Sequence, residues 1–215
     1  NRLVALKVLS KELSSMREFA AAVEGGYREA SALLHPNIAR VLDADAGLEE
    51  CVVATEFVRG INVRDRVRRA GPIAVPLAVD ITVAVLEALE YAHASRVVHG
   101  DIRPQDIIVG PEGEIKLTDF GLSHALASFP AIADRFQMRS IHYQAPEVVE
   151  GNLPTAASDI YSVGILLYEV LVGSPPFLSG DISYQQVHNA PVPPREINPT
   201  IPSCCAEIIL KCLNK

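Results

Sequence analysis

The sequence lacks the marks of several large protein classes. Its 215 residues include four cysteines, Cys51, Cys204, Cys205 and Cys212. These form neither a CxxC pair nor a zinc-ligand spacing, so neither a redox motif nor a structural metal centre is read from them. They are expected to be reduced, mostly buried thiols in a cytoplasmic protein. Positive charge is also scarce. Against 26 Asp and Glu stand 19 Lys and Arg, a formal net charge of −7, which argues against a general nucleic-acid binder. The longest apolar stretch, Ile160 to Gly173, carries Glu169 and is shorter than the roughly 20 residues of a membrane span. No signal peptide opens the chain, and there is no internal repeat or low-complexity segment.

What is present is a globular composition, 49% hydrophobic and 21% charged, enough for one large domain or two small lobes. Leu3 to Leu9 is a short apolar run that reads as a buried strand. Residues 16 to 34 carry helix formers, with Gly25-Gly26 as an expected interruption and His35-Pro36-Asn37 as a stop. Cys51 to Val58 is rich in strand formers. From Pro76 to His93, the residues Leu77, Ile81, Val85, Leu89 and Ala92 share one helical face. Val97 to His99 reads as a short strand. The runs at 107–109 and 115–118 flank Gly110-Pro111-Glu112-Gly113-Glu114 and predict a hairpin. Residues 122 to 144 form a long connection of weak periodicity, Ser158 to Val172 a helix buried on all sides, 191 to 202 a Pro-rich loop, and Cys204 to Leu213 a final helix.

Three segments concentrate chemistry. In Val4-Ala5-Leu6-Lys7 a lysine sits inside an apolar strand, which is costly unless its ammonium meets an anion or snorkels to water. In His99-Gly100-Asp101-Ile102-Arg103-Pro104-Gln105-Asp106 two carboxylates and a guanidinium crowd one loop. In Asp119-Phe120-Gly121 a carboxylate follows an apolar strand, placed to meet a hard cation such as Mg²⁺.

With Tyr143-Gln144-Ala145-Pro146-Glu147 and Ser158-Asp159-Ile160-Tyr161-Ser162-Val163-Gly164, these segments stand in the order and spacing of a known set. The chain resembles protein-kinase catalytic domains, most of all bacterial serine/threonine kinases of the eukaryotic type. The resemblance covers the whole chain. It implies an α+β, two-lobed fold: residues 1–58 as a partial small lobe and hinge, residues 59–215 as a mainly helical large lobe. It also implies that a Gly-rich loop precedes Asn1 and that the last helices follow Lys215. The implied activity is transfer of the ATP γ-phosphate to Ser or Thr hydroxyls of protein substrates, with Mg²⁺.

Carried over by resemblance, Asp101 is the catalytic carboxylate and Arg103 neutralises the γ-phosphate. Lys7 holds the α- and β-phosphates, with Glu29 as its helix partner and Glu24 as the alternative. Ala5 and Ile108 sandwich the adenine, Thr55 is the gatekeeper, and Glu56 to Val58 form the hinge. Asp106 and Asp119 ligate Mg²⁺, and Asp159 receives the catalytic-loop backbone. Three positions depart from the family pattern: Gly100 for Arg, Arg103 for Lys and Asp106 for Asn. Gly100 removes the arginine that pairs with a phosphorylated activation loop. Asp106 adds a carboxylate that is expected to have a raised pKa without metal. A pseudokinase that binds nucleotide or partners is the alternative reading; a small-molecule phosphotransferase fits the Ala145-Pro146-Glu147 segment poorly.

Overall fold

The computed structural model describes residues 3–47, 50–135 and 140–215. Strands β1 (Val4–Val8), β2 (Val41–Ala46) and β3 (Cys51–Glu56) form one antiparallel sheet in the order β1-β3-β2. Helices α1 (Lys11–Ser15) and α2 (Arg17–Ala30) connect β1 to β2. Phe19, Val23, Tyr27 and Ala30 recur every three or four residues along α2 and are all buried, so one helical stripe seals the sheet. The expected break at Gly25-Gly26 does not occur, because tertiary packing outweighs the low helix propensity of glycine.

β1 is not the fully buried strand expected. Val4, Leu6 and Val8 are exposed and alternate with the half-buried Ala5 and Lys7. Within the described residues β1 pairs only with β3, and period-two alternation then divides it into an open face and a cleft face. The ladder sets Ala5 opposite Thr55 and Lys7 opposite Val53, so register places Lys7 on the cleft side.

The remainder is mainly helical. A second sheet, β4 (Ile61–Asn62), β5 (Ile107–Val109) and β6 (Ile115–Leu117), contains the expected hairpin. Helix α3 (Val63–Ala70) starts at Asn62, whose side chain accepts from the Asp65 backbone N–H at 2.8 Å. Helix α4 (Val75–Ala94) packs against α8 (Ala156–Val172), and α11 (Ser203–Cys212) packs on the other side of α8. α8 begins with a reciprocal cap: Ser158 Oγ accepts from the Thr155 N–H and Thr155 Oγ1 accepts from the Ser158 N–H. This is the arrangement that satisfies two orphan donors at a helix start. Thirteen of its residues are buried, Glu169 included.

Three local expectations fail. Val97 to His99 is not a strand, since the His99 N–H is taken by a buried carboxylate, not by a neighbouring strand. The segment after Gly121 is not irregular. It forms α5 (Ser123–Ser128) and α6 (Pro130–Arg135), and a 3₁₀ turn spans Ile141–Tyr143. α5 rests on α2, with Phe19 and Phe129 edge to face at 5.8 Å. Short helices α7 (Pro146–Val149) and α9 (Ile182–His188) flank α8, and the Pro-rich loop includes the short helix α10 (Pro194–Ile197), started where proline supplies the helical φ. All four cysteines are free; Cys51 and Cys205 are buried, Cys212 is half-buried and Cys204 is exposed.

Candidate active site

Several of the residues singled out by sequence meet around the turn that carries Asp119. The Lys7 ammonium donates to Asp119 Oδ1 at 2.7 Å. Asp119 adopts φ +68°, a left-handed conformation that Asp tolerates better than most residues. Arg103 bridges two carboxylates: Nη2 lies 3.2 Å from Asp101 Oδ2 and Nε lies 3.3 Å from Asp106 Oδ2. The Asp106 carbonyl accepts from the Thr118 N–H at 2.7 Å and from Thr118 Oγ1 at 3.1 Å. That pair of bonds ties the loop carrying Asp101 to the strand end carrying Asp119.

Behind these groups lies a fully buried acceptor. Asp159 takes the backbone N–H of Gly100 at 2.7 Å, that of His99 at 3.0 Å, and His93 Nε2 at 2.8 Å. The expected contact of Asp159 with the backbone of the loop at His99-Gly100 is thus present. Gly100 has φ +71°, which glycine adopts without the strain an L side chain meets there. Glycine at this position therefore suits the turn that precedes Asp101. The His99 ring meets Phe120 edge to face at 4.8 Å and its Nε2 bonds the Thr118 carbonyl at 2.8 Å.

Burial dominates the electrostatics. It pushes the Asp106 carboxyl up to about 8; Arg103 opposes this, while Asp119 and Asp101 add to it. Burial also pushes the His99 imidazole down, so it stays neutral. Burial lowers the Lys7 and Arg103 cations too, but the surrounding carboxylates outweigh it and both end up raised. Crowded, desolvated carboxylates of this kind call for a cation, and their hard oxygen donors suit Mg²⁺. Among the described residues no group of three or more His, Cys, Asp or Glu side chains forms a ready metal cage. Mg²⁺ sites built with one or two carboxylates and substrate phosphates need none.

A pH effect follows. A carboxyl raised from 3.8 to about 8 on folding stabilises the fold fully below its unfolded pKa, and that contribution disappears as pH rises through about 8. Without metal or nucleotide, thermal stability is expected to fall between pH 5 and about 8, and Asp106→Asn to flatten that slope and raise the high-pH Tm. Identical pH profiles for the two proteins would contradict this.

The other positions are distributed as follows. Ala5, Thr55, Val58 and Ile108 are half-buried. The Glu56 carboxylate bonds the Lys116 ammonium at 3.2 Å and the Arg40 N–H at 3.2 Å. The expected partnership of Lys7 with Glu29 is not formed. Glu29 is exposed, and the alternative, Glu24, pairs with Arg28 at 2.5 Å one helical turn along. The reason is register. Gly26 presses α2 onto the Asp119-Phe120-Gly121 turn so closely that an added Cβ would stand 1.9 Å from the Gly121 oxygen. With that contact fixed, Tyr27 is buried beside the turn and Glu29 points away. Sequence reading missed Gly26 and Tyr27. The available signal was the Gly25-Gly26 pair itself, which in sequence reads only as an interruption of the helix.

Beside Arg103 the surface opens into a cleft of about 740 Å³ bordered by Arg64, Arg68, His142 and Tyr143. Its walls hold the buried Glu169, which accepts from Tyr143 Oη at 2.7 Å. Among the described residues neither Arg64 nor Arg68 makes an ion pair.

The family model for the protein kinase domain matches residues 1–215. The chain is 32% identical to the serine/threonine-protein kinase PrkC of Bacillus subtilis over 218 residues, covering 100% of this chain and 34% of that protein. It is 31% identical to the serine/threonine-protein kinase PknB of Mycobacterium tuberculosis over 225 residues, covering 100% of this chain and 36% of that protein. The chain thus spans about a third of the length of these curated relatives. Among solved structures, the kinase domain of PknI from Mycobacterium tuberculosis matches 98% of this chain and 76% of its own, with a TM-score of 0.77 at 24% identity, and so shares the fold. The chain belongs to the protein kinase domain family.

Proposed function

We propose that this chain is the catalytic domain of an ATP-dependent protein serine/threonine kinase. The observation that carries the reading is a pair of ion-pair groups, Lys7–Asp119 at 2.7 Å and Asp101–Arg103–Asp106 at 3.2 and 3.3 Å, joined by the bond from the Thr118 N–H to the Asp106 carbonyl at 2.7 Å. Phosphoryl transfer needs positioning and charge stabilisation more than covalent chemistry, and this cluster supplies both signs of charge in a half-desolvated cleft.

In this reading Lys7 binds the α- and β-phosphates, and Asp119 positions the ammonium. Ala5, Thr55, Ile108 and the Glu56–Val58 backbone enclose the base. Asp106 and Asp119 would hold Mg²⁺, which when bound neutralises phosphate charge. Asp101 orients the acceptor hydroxyl and takes up its proton, while Arg103 keeps the loop carboxylates in place and faces the transferred phosphate. Protein substrates bearing Ser or Thr would approach over the cleft beside Arg64 and Arg68. No described helix is long and apolar enough to cross a membrane; a cytoplasmic location is part of the proposal.

The test is phosphate incorporation into a protein substrate on addition of ATP and Mg²⁺ to the full-length protein. Incorporation is expected to stop on chelation of the metal and to return when Mg²⁺ is restored. Nucleotide binding without any transfer under these conditions would favour a pseudokinase and overturn the proposal.

A further inference from the structure

Tyr27 is a buried polar group to which the reading above gives no task. Its side chain is fully buried, and among the described residues its hydroxyl has no hydrogen-bond partner. An unpaired buried hydroxyl costs free energy that phenylalanine at the same place would avoid. In folded proteins such groups are few, and each asks for an explanation.

Its position supplies one. The Gly26–Gly121 contact brings α2 onto the turn that carries Asp119, and a Cβ added to Gly121 would lie 2.8 Å from Tyr27 Cα. The buried phenol lies within electrostatic reach of Lys7, Asp119 and Asp106. Burial, which leads, pushes the hydroxyl up to about 12; Lys7 opposes through its charge and through a hydrogen-bonding approach that falls short of full hydrogen-bond geometry, and the two carboxylates add. The group is therefore neutral at physiological pH, able to accept from an ammonium or donate to an anion. No carboxylate of α2 competes for Lys7: Glu24 is held by Arg28, and Glu18 and Glu29 are exposed.

We propose that Tyr27 is a positioning residue whose hydroxyl takes the place of a helix carboxylate as the α2 partner of Lys7. The Lys7 ammonium has three N–H donors. Asp119 accepts one; the Tyr27 hydroxyl accepts a second when the ammonium turns toward nucleotide phosphates, and the third meets the phosphate. The partner is neutral, so it orients Lys7 without cancelling its charge. The cost of an unpaired hydroxyl in the nucleotide-free state is then strain stored at a functional site.

This inference rests on the nucleotide-binding part of the kinase reading. The test combines calorimetric titration of full-length protein with the Mg²⁺ complex of a non-hydrolysable ATP analogue and thermal unfolding without nucleotide. Tyr27→Phe is expected to raise the nucleotide-free Tm, because it removes only the unpaired hydroxyl, and yet to weaken analogue binding about tenfold, the value of one hydrogen bond to a charged group. In a Lys7→Met background, Tyr27→Phe is expected to leave affinity unchanged, because the hydroxyl acts through the ammonium. A purely structural tyrosine would give no such dependence on Lys7. Unchanged affinity in the otherwise wild-type protein, or equal weakening with and without Lys7, overturns the proposal and leaves the kinase reading intact. Failure of the kinase reading appears in the wild type itself, as absence of analogue binding, and overturns both.

Discussion

Asp101→Asn is expected to lower phosphate transfer by about 10²–10⁴-fold, the usual contribution of a positioned general base. Asparagine keeps the shape of the side chain but cannot take up the acceptor proton. The substitution also relieves charge crowding. Asp101 shares Arg103 with Asp106, at 3.2 and 3.3 Å, and adds to the burial that raises the Asp106 carboxyl. With Asp106 still bound to the guanidinium, no cation is stranded. Thermal stability and ATP affinity should therefore stay at or above their original values while turnover collapses. Steady-state kinetics alongside a melting curve separate the two effects. Turnover within about threefold of wild type would remove Asp101 from the proton-handling role.

Asp159→Ala has the largest expected effect on stability. Its fully buried carboxylate accepts two backbone N–H groups and one imidazole. Truncation leaves these donors without a partner, and breaking a buried charged network of this sort costs about 3–5 kcal/mol. For a domain of this size each kcal/mol moves Tm by about 2–4 °C, so a fall on the order of 10 °C is expected. Asp159→Asn retains one carbonyl acceptor and should lose less. Because the freed N–H groups belong to His99 and Gly100, the loop that aims Asp101 should loosen as well. A melting temperature for Asp159→Ala within about 2 °C of the original would contradict this account of the loop.

The sequence disclosed those parts of the fold whose cause is local. α4 was visible because apolar residues repeat at helical spacing, α8 because its segment is apolar nearly all round, and the β5–β6 hairpin because turn residues separate two short apolar runs. The candidate site was visible as three motifs, each placing its charge within a few residues. What sequence did not disclose depends on contacts distant along the chain. Lys7 meets Asp119, and no local pattern specifies that meeting. The Gly25-Gly26 pair reads as a helix breaker, yet Gly26 allows the close approach of α2 to Gly121, and that approach turns Glu29 outward and Tyr27 inward. The short strand expected at 97–99 failed because its backbone donor is used by Asp159. The segment after Gly121 folds into helices because its apolar residues Ala125 and Leu126 are buried, an outcome weak periodicity does not reveal.

The central claim is that this arrangement moves a γ-phosphate to a serine or threonine. The most direct test incubates full-length protein, Mg²⁺ and a protein substrate with ATP labelled at either the γ- or the α-phosphorus, then identifies the labelled amino acid. The account predicts label from the γ position only, recovered on phosphoserine or phosphothreonine, and its loss in Asp101→Asn. Label arriving from the α position, recovery on tyrosine, or undiminished γ-transfer by Asp101→Asn would contradict it.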